Sequence, residues 1–160
     1  MAEVVELRPV DYARKLYSYI DIENPPIDLK SILKELNIEL KGLNLVFVDA
    51  VLIKDETIPI IGYNINKPIE RQRFSIAHEI GHFIMPDSRQ YYVCNIDSNS
   101  PDEKDASSFA EELLMPKPIV VKLWKEYEKN KEYRLDHIAK TLLVSKTALR
   151  VRVRRLGLRR

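Results

Sequence analysis

The chain has 160 residues, with 26 Lys or Arg, 24 Asp or Glu and a formal net charge of +2. Its 45% apolar content is enough for one domain with a single core, and the length excludes a second catalytic domain. Cys94 is the only cysteine, so an intrachain disulfide is excluded and nothing indicates an oxidising compartment. Charged side chains interrupt any signal-peptide core or membrane span within residues 1–20, which predicts a cytoplasmic protein.

The N-terminal part of the chain is predicted to form a layer of two helices. Residues 11–19 and 28–36 are typical of helices, and the second follows Pro25-Pro26, a pair that suits a turn and then a helix start. We expect these helices to pack against the rest of the domain.

A small sheet is predicted to follow the two helices. Residues 43–53 and 57–63 are rich in Val, Ile and Leu and are separated by a charged turn, which favours two neighbouring antiparallel strands. If the strand that ends at Asn64 lies at the sheet edge, it can pair with an extended substrate backbone. A plain core strand is the alternative interpretation.

The segment His78-Glu79-Ile80-Gly81-His82 carries the most chemical information. On a helix, two histidines four residues apart lie on one face and can reach the same ion. Zinc held by three protein ligands lowers the pKa of its bound water to about 7, and a neighbouring carboxylate such as that of Glu79 can take the proton. The alternative is the polar face of an ordinary amphipathic helix. A third metal ligand elsewhere in the chain would favour the zinc site over the polar helix face.

Residues 86–101 are predicted to be a short extended piece followed by a loop that could overhang this site. Four side chains are candidates to donate a hydrogen bond to a tetrahedral intermediate: Tyr91, Tyr92, His137 and Arg71. Nothing in the sequence selects among them.

Residues 102–115 are predicted to form a second helix with an apolar stripe, ended by Pro116. Counting 100° per residue, Asp102 and Glu103 point toward the apolar face. The other acidic residues of the helix point to its flanks or to water: Asp105, Glu111 and Glu112. A carboxylate that faces a core needs a partner or a metal, so Glu103 is the candidate third ligand and Asp102 its rival. The alternative is an acidic residue favoured at a helix N-terminus by the macrodipole.

The C-terminal section differs electrostatically from the rest of the chain. Residues 137–160 carry eight Lys or Arg and no Asp or Glu, and the apolar spacing predicts a helix-turn-helix pair with a turn at Val144-Ser145. Candidate nucleic-acid contacts are four arginines: Arg150, Arg152, Arg154 and Arg155. A solvated basic face is the commoner interpretation of such a cluster.

Residues 71–82 and 103–116 together resemble the ImmA/IrrE family of metallopeptidase-like proteins. The family pattern runs Arg-Phe-Thr-x-Ala-His-Glu-x-Gly-His and then Glu-x-x-Ala-Asn-x-Phe-Ala-x-x-Leu-Leu-x-Pro. The resemblance implies that His78, His82 and Glu103 are metal ligands and that Glu79 is the catalytic acid/base. Ser107 replaces the usual asparagine, one turn after Glu103, where it can support a ligand.

Members of that family act on transcriptional repressors of mobile elements or prophages, or control a damage response by the same kind of cleavage. The resemblance therefore implies a narrow range of substrates, such as a helix-turn-helix repressor, and not a digestive protease. The alternative functions are a DNA-binding regulator and a protein-binding regulator, each with a structural zinc site.

We therefore predict an α+β, zincin-like fold. A small antiparallel sheet packs against helices, among them the HExxH helix and the downstream helix that bears Glu103. Residues 1–134 are expected to form the metallopeptidase core, with one Zn²⁺ per chain. Residues 135–160 are expected to form a basic helical segment packed on that core, so that the chain is one structural domain overall.

Overall fold

The structure is a computed structural model that describes residues 5–54, 57–86, 91–94 and 99–158. About half of these residues are in helices. In these ranges the α-helices are α1 (Pro9–Lys15), α2 (Leu29–Glu35), α3 (Ile69–Ile84), α4 (Pro101–Leu114), α5 (Lys117–Glu126), α6 (Arg134–Leu142) and α7 (Lys146–Arg155). The strands are β1 (Glu39–Leu43), β2 (Ala50–Ile53), β3 (Ile60–Asn64) and β4 (Tyr91–Cys94). A 3₁₀ turn, Leu16–Tyr19, extends α1. The predicted α+β class is confirmed.

The sheet has the strand order β1-β3-β2-β4. β2 and β3 are antiparallel, as predicted, and pair from Ala50 opposite Tyr63 to Ile53 opposite Ile60. β2 is also antiparallel to β4, but β1 runs parallel to β3. The sheet is therefore mixed, and the expectation of a purely antiparallel sheet is wrong because β1, which was not predicted, joins it through a crossover.

The apolar run from residue 43 to 53 does not form one strand, because a loop interrupts it. The buried Asn64 side chain donates hydrogen bonds to the carbonyl oxygens of Leu45, at 3.1 Å, and Val48, at 2.9 Å. These bonds hold the loop against the end of β3. Val46 and Phe47 project from it and are largely exposed.

The strand that ends at Asn64 is an interior strand. β3 lies between β1 and β2, so both of its edges are already paired and the prediction of an edge strand there is wrong. Among the described strands, β1 and β4 are at the two sheet edges, and β4 contacts α3.

The helices α3 and α4 pack closely and form the centre of the domain. Phe109 on α4 is fully buried and lies against Gly81 on α3. A Cβ atom at residue 81 would lie only 2.9 Å from the ring of Phe109, so the absence of a side chain permits this approach. The hydroxyl of Ser100 caps α4 by accepting from the backbone N–H of Glu103 at 3.4 Å, and Pro101 occupies its first turn.

The predicted C-terminal helix pair is present as α6 and α7. The turn contains Leu143 in the left-handed conformation, with a φ of 52°, and Ser145, whose hydroxyl accepts from the N–H of Ala148 at 3.0 Å. α7 is attached to the end of α4 by Arg152, whose Nε donates to the carbonyl oxygen of Met115 at 3.0 Å. Arg152 also pairs with Glu112.

Glu111 and Glu112, which were predicted to point to the flanks of α4 or to water, are not exposed to water. Both are buried, and each pairs with a cation of α7: Glu112 with Arg152, and Glu111 with Arg155. The prediction used only the periodicity of α4 and could not include a later helix that covers its C-terminal end. Burial raises the pKa of the Glu111 carboxyl, and the charges of Arg155 and Arg152 offset part of that effect.

Candidate metal centre

The two histidines of α3 point to a common position inside the domain. The Nε2 atoms of His78 and His82 lie 3.1 Å apart, and both side chains are buried. Their rings meet edge to face with centroids 4.8 Å apart. The spacing of four residues on a helix accounts for this, since it places both imidazoles on one face, one turn apart.

The first turn of α4 brings Glu103 to the same position. Its Oε2 atom lies 2.8 Å from Nε2 of His78, and its Oε1 atom lies 3.0 Å from Nε2 of His82. Burial raises the pKa of the Glu103 carboxyl, but the hydrogen bonds and charges of His78 and His82 outweigh burial, so that the pKa lies below its usual value.

The structure distinguishes Glu103 from its rival Asp102. One ligand atom from each of His78, His82 and Glu103 lies within 4.8 Å of the others, a geometry that suits a metal ion. Glu103 is 7% exposed, whereas Asp102 is exposed and lines a neighbouring cavity. Successive helical residues point about 100° apart, so only one of the two can face the histidines.

The donor set fits zinc. Two imidazole nitrogens and one carboxylate are a usual set of three protein ligands for a catalytic zinc, with a fourth position left for water or substrate. Ligand atoms about 2.1 Å from a tetrahedral zinc lie about 3.4 Å from one another. Here the two Nε2 atoms are 3.1 Å apart, and they lie 2.8 Å and 3.0 Å from the two different oxygens of Glu103, so the ligand groups need to spread by only a few tenths of an ångström.

Ser107 and Glu79 complete the surroundings of the histidines. The Ser107 hydroxyl lies 3.2 Å from Nδ1 of His78, the ring nitrogen that faces away from the common position. When Nδ1–H donates to this hydroxyl, Nε2 carries the lone pair that a metal requires. Glu79 is fully buried directly after the first histidine.

A cavity of about 170 Å³ adjoins His82. Met85, Pro86 and Tyr12 contribute to its wall, together with three carboxylic acids: Glu6, Asp102 and Asp105. The residues from the N-terminal segment were not predicted as part of the site. They lie about 70 positions before His82 in the sequence, so no local pattern could have indicated the contact.

The proposed donors for a tetrahedral intermediate are not selected by the structure. Arg71 donates to the buried Asp49, with its Nη2 atom 3.0 Å from Oδ2. The ring of His137 stacks on Tyr127, with centroids 5.3 Å apart. The side chains of Tyr91 and Tyr92 lie outside the described part of the structure.

The four arginines predicted to contact nucleic acid have different surroundings. Arg152 is 6% exposed and bonded to Glu112 and Met115, so it cannot reach a phosphate and its assignment is wrong. Arg155 is exposed but pairs with Glu111. Arg150 and Arg154 are exposed. Tertiary packing thus removes part of the predicted basic surface.

No helix of the described residues is both long and apolar enough to cross a membrane. A comparison with curated proteins returns no significant match. The model of the peptidase M78 family, described as the IrrE N-terminal-like domain, matches residues 37–154, which include α3, α4 and the whole His78-His82-Glu103 cluster. The match and the cluster together agree with the predicted zincin-like fold. The chain therefore belongs to the IrrE N-terminal-like family of metallopeptidases.

Proposed function

We propose that the chain is a zinc-dependent endopeptidase that hydrolyses a peptide bond in one specific protein of the cytoplasm. The observation that carries this proposal is the buried convergence of His78, His82 and Glu103, with Glu79 next to the first histidine. The sequence resemblance supports a transcriptional repressor of the helix-turn-helix class as the substrate. Its repression of a mobile element, a prophage or a stress response would end with cleavage.

The residues of the chain have separate roles in this reaction. His78, His82 and Glu103 would hold the zinc, and the Ser107 hydroxyl, 3.2 Å from Nδ1 of His78, would orient that imidazole. A zinc ion in such a site lowers the pKa of water and polarises the carbonyl oxygen of the scissile bond. The carboxylate of Glu79 takes a proton from the attacking water and returns it to the leaving amine nitrogen as the C–N bond breaks.

The first test measures the zinc content of the wild type and of Glu103→Ala by elemental mass spectrometry. Circular dichroism checks that both proteins are folded. We expect about one zinc per chain in the wild type and much less in the folded mutant, because two histidines alone bind zinc more weakly. A wild type that stays metal-free when zinc is added would overturn the proposal.

Catalysis is tested with Glu79→Gln and a matched control, Glu35→Gln, on the exposed side of α2. Purified helix-turn-helix repressors from the same genome serve as substrates. We expect Glu79→Gln to keep its zinc but lose cleavage, because the substitution removes the base and not a ligand. The control should cleave normally. Retained cleavage in Glu79→Gln would exclude Glu79 as the base.

The same experiment separates the alternative of a regulator with a structural zinc site. Such a protein would bind its partner without cleaving it, even when fully loaded with zinc. Partner binding without cleavage by the wild type would favour that alternative over the peptidase.

A further inference from the structure

A second and larger cavity lies on the other side of the histidines from the cavity beside His82. It is a groove of about 690 Å³ between the N-terminal half of α3 and the α6–α7 pair. Its apolar lining comes from both sides: Phe74 from α3, and Ala139, Val144, Ala148 and Val151 from α6, α7 and their connection. We call it the α3–α7 groove.

The groove is large enough to bind several side chains of a peptide. Ligand pockets of proteins usually measure about 300 to 1,000 Å³ and have mainly apolar walls with a few polar groups. Phe74, Ala148 and Val151 are only partly buried, so apolar surface remains accessible in the groove.

The charges at the rim of the groove are nearly balanced. Arg71 pairs with Asp49, and Lys146 pairs with Asp136, which leaves Glu70 and Lys140 as one charge of each sign. A phosphate backbone needs a surplus of cations, so this rim does not suit nucleic acid. A peptide with apolar side chains and few charges suits it better.

The groove lies close to the candidate metal centre along α3. Phe74 precedes His78 by one turn, and the centroids of the two rings are 6.5 Å apart. At 1.5 Å per residue, the part of α3 from Pro68 to Phe74 that lines the groove lies about 6 to 15 Å from His78. An extended peptide advances about 3.3 Å per residue, so two to five residues cover this distance.

We propose that the α3–α7 groove binds the protein substrate itself, through an apolar segment two to five residues from the scissile bond. The inference rests on the proposed peptidase function and adds a specificity site to it. Phe74, Ala148 and Val151 are the specificity-determining residues. They contact the substrate away from the reacting atoms and restrict cleavage to chains that present this segment.

Binding can be tested without turnover. A random peptide library displayed on phage is selected on the zinc-loaded Glu79→Gln protein, and the enriched peptides are synthesised and labelled. Fluorescence anisotropy then measures the affinities of these peptides for three proteins. They are the Glu79→Gln protein, the double variant that also carries Val151→Asp, and the double variant that also carries Val46→Asp. Val46 is an exposed valine outside the groove and supplies the matched control.

We expect the enriched peptides to share an apolar block and to bind the Val151→Asp protein at least tenfold more weakly, because a carboxylate in the groove is desolvated by the peptide. The Val46→Asp protein should bind as before. Ala148→Asp provides a second groove variant in case Val151→Asp does not fold. Equal affinities for the groove and control variants, or no enrichment, would overturn the inference.

Cleavage of the same peptides separates this inference from the peptidase proposal. The zinc-loaded wild type should cut them two to five residues from the apolar block, as read by mass spectrometry. Cleavage without a preference at those positions overturns the groove assignment and leaves the peptidase proposal intact. Groove-dependent binding without cleavage contradicts the peptidase proposal. The peptide in the groove would then be a binding partner and not a substrate.

Discussion

One hydroxyl group lies within hydrogen-bond distance of the imidazole of His78. Ser107 lies 3.2 Å from Nδ1 of this histidine, and the resemblance to the family shows that asparagine is usual at the position. Both side chains can accept a hydrogen bond from the Nδ1–H group. The substitution therefore changes the partner of the imidazole but retains the function of orienting it.

We predict that Ser107→Ala weakens zinc binding by about tenfold to a hundredfold, the usual cost of removing the hydrogen-bond partner of a metal-bound histidine. Ser107→Asn should bind zinc nearly as well as the wild type. The measurement is competition with a chromophoric chelator. Ser108→Ala, on the neighbouring position of α4, is the control. Equal affinities of all variants would show that the hydroxyl does not support the site.

The relative position of α3 and α4 decides whether a third ligand reaches the histidines. Glu103 is on α4 and both histidines are on α3, so the distance between the helices sets the size of the site. Gly81 and Phe109 form a close approach of the two helices, less than two turns from Glu103 along α4. Helix packing and metal binding therefore depend on the same contact.

We predict that Gly81→Ala destabilises the fold by about 1 to 3 kcal/mol, the usual cost of an added methyl group in a packed core, and also weakens zinc binding. The second effect follows because Glu103 moves away from the histidines. Urea unfolding and chelator competition give the two quantities. Adding Phe109→Leu should restore part of the zinc affinity, since the smaller side chain leaves room for Cβ. Unchanged zinc affinity in Gly81→Ala would contradict this account.

At the scale of the whole molecule, side-chain bonds join α7 to α4, the helix that carries Glu103. Arg152 on α7 is buried with Glu112 and the carbonyl oxygen of Met115, and Glu112 also accepts from Tyr17 of the N-terminal region. This network joins three separate parts of the chain. It accounts for the attachment of α7 to the end of α4.

We predict that Arg152→Ala costs about 3 to 5 kcal/mol of unfolding free energy, because it removes the buried cation of Glu112 and leaves that buried carboxylate with only the part-exposed Arg14. Arg154→Ala, at an exposed position of the same helix, should change the stability by less than about 0.5 kcal/mol. Urea denaturation followed by circular dichroism compares them. Similar stabilities of the two variants would mean that the pair does not hold α7 on the domain.

Metal binding should also stabilise the whole domain. A ligand that binds only the folded state at 100 times its Kd adds about 2.7 kcal/mol to the free energy of unfolding. We therefore predict a higher Tm for the wild type with zinc than after treatment with a chelator. His82→Ala should show little of this difference. A Tm of the wild type that does not respond to zinc would argue against the site.

Local patterns in the sequence were sufficient for several features of this protein. The spacing of His78 and His82 predicts a shared face because helical periodicity is a property of the backbone alone. The helices on either side of the site and the antiparallel pairing of β2 with β3 follow from apolar periodicity and from a short charged turn. The sequence also indicated Glu103, but it left Asp102 as a rival.

Only the tertiary structure decided the features that depend on distant contacts. It brings Glu103 rather than Asp102 to the histidines, makes β3 an interior strand and buries Arg152. It also places two cavities along α3, whose walls come from segments about 70 residues away in either direction. A sequence pattern describes which side of its own element a residue occupies. Which other element covers that side is settled only when distant parts of the chain pack together.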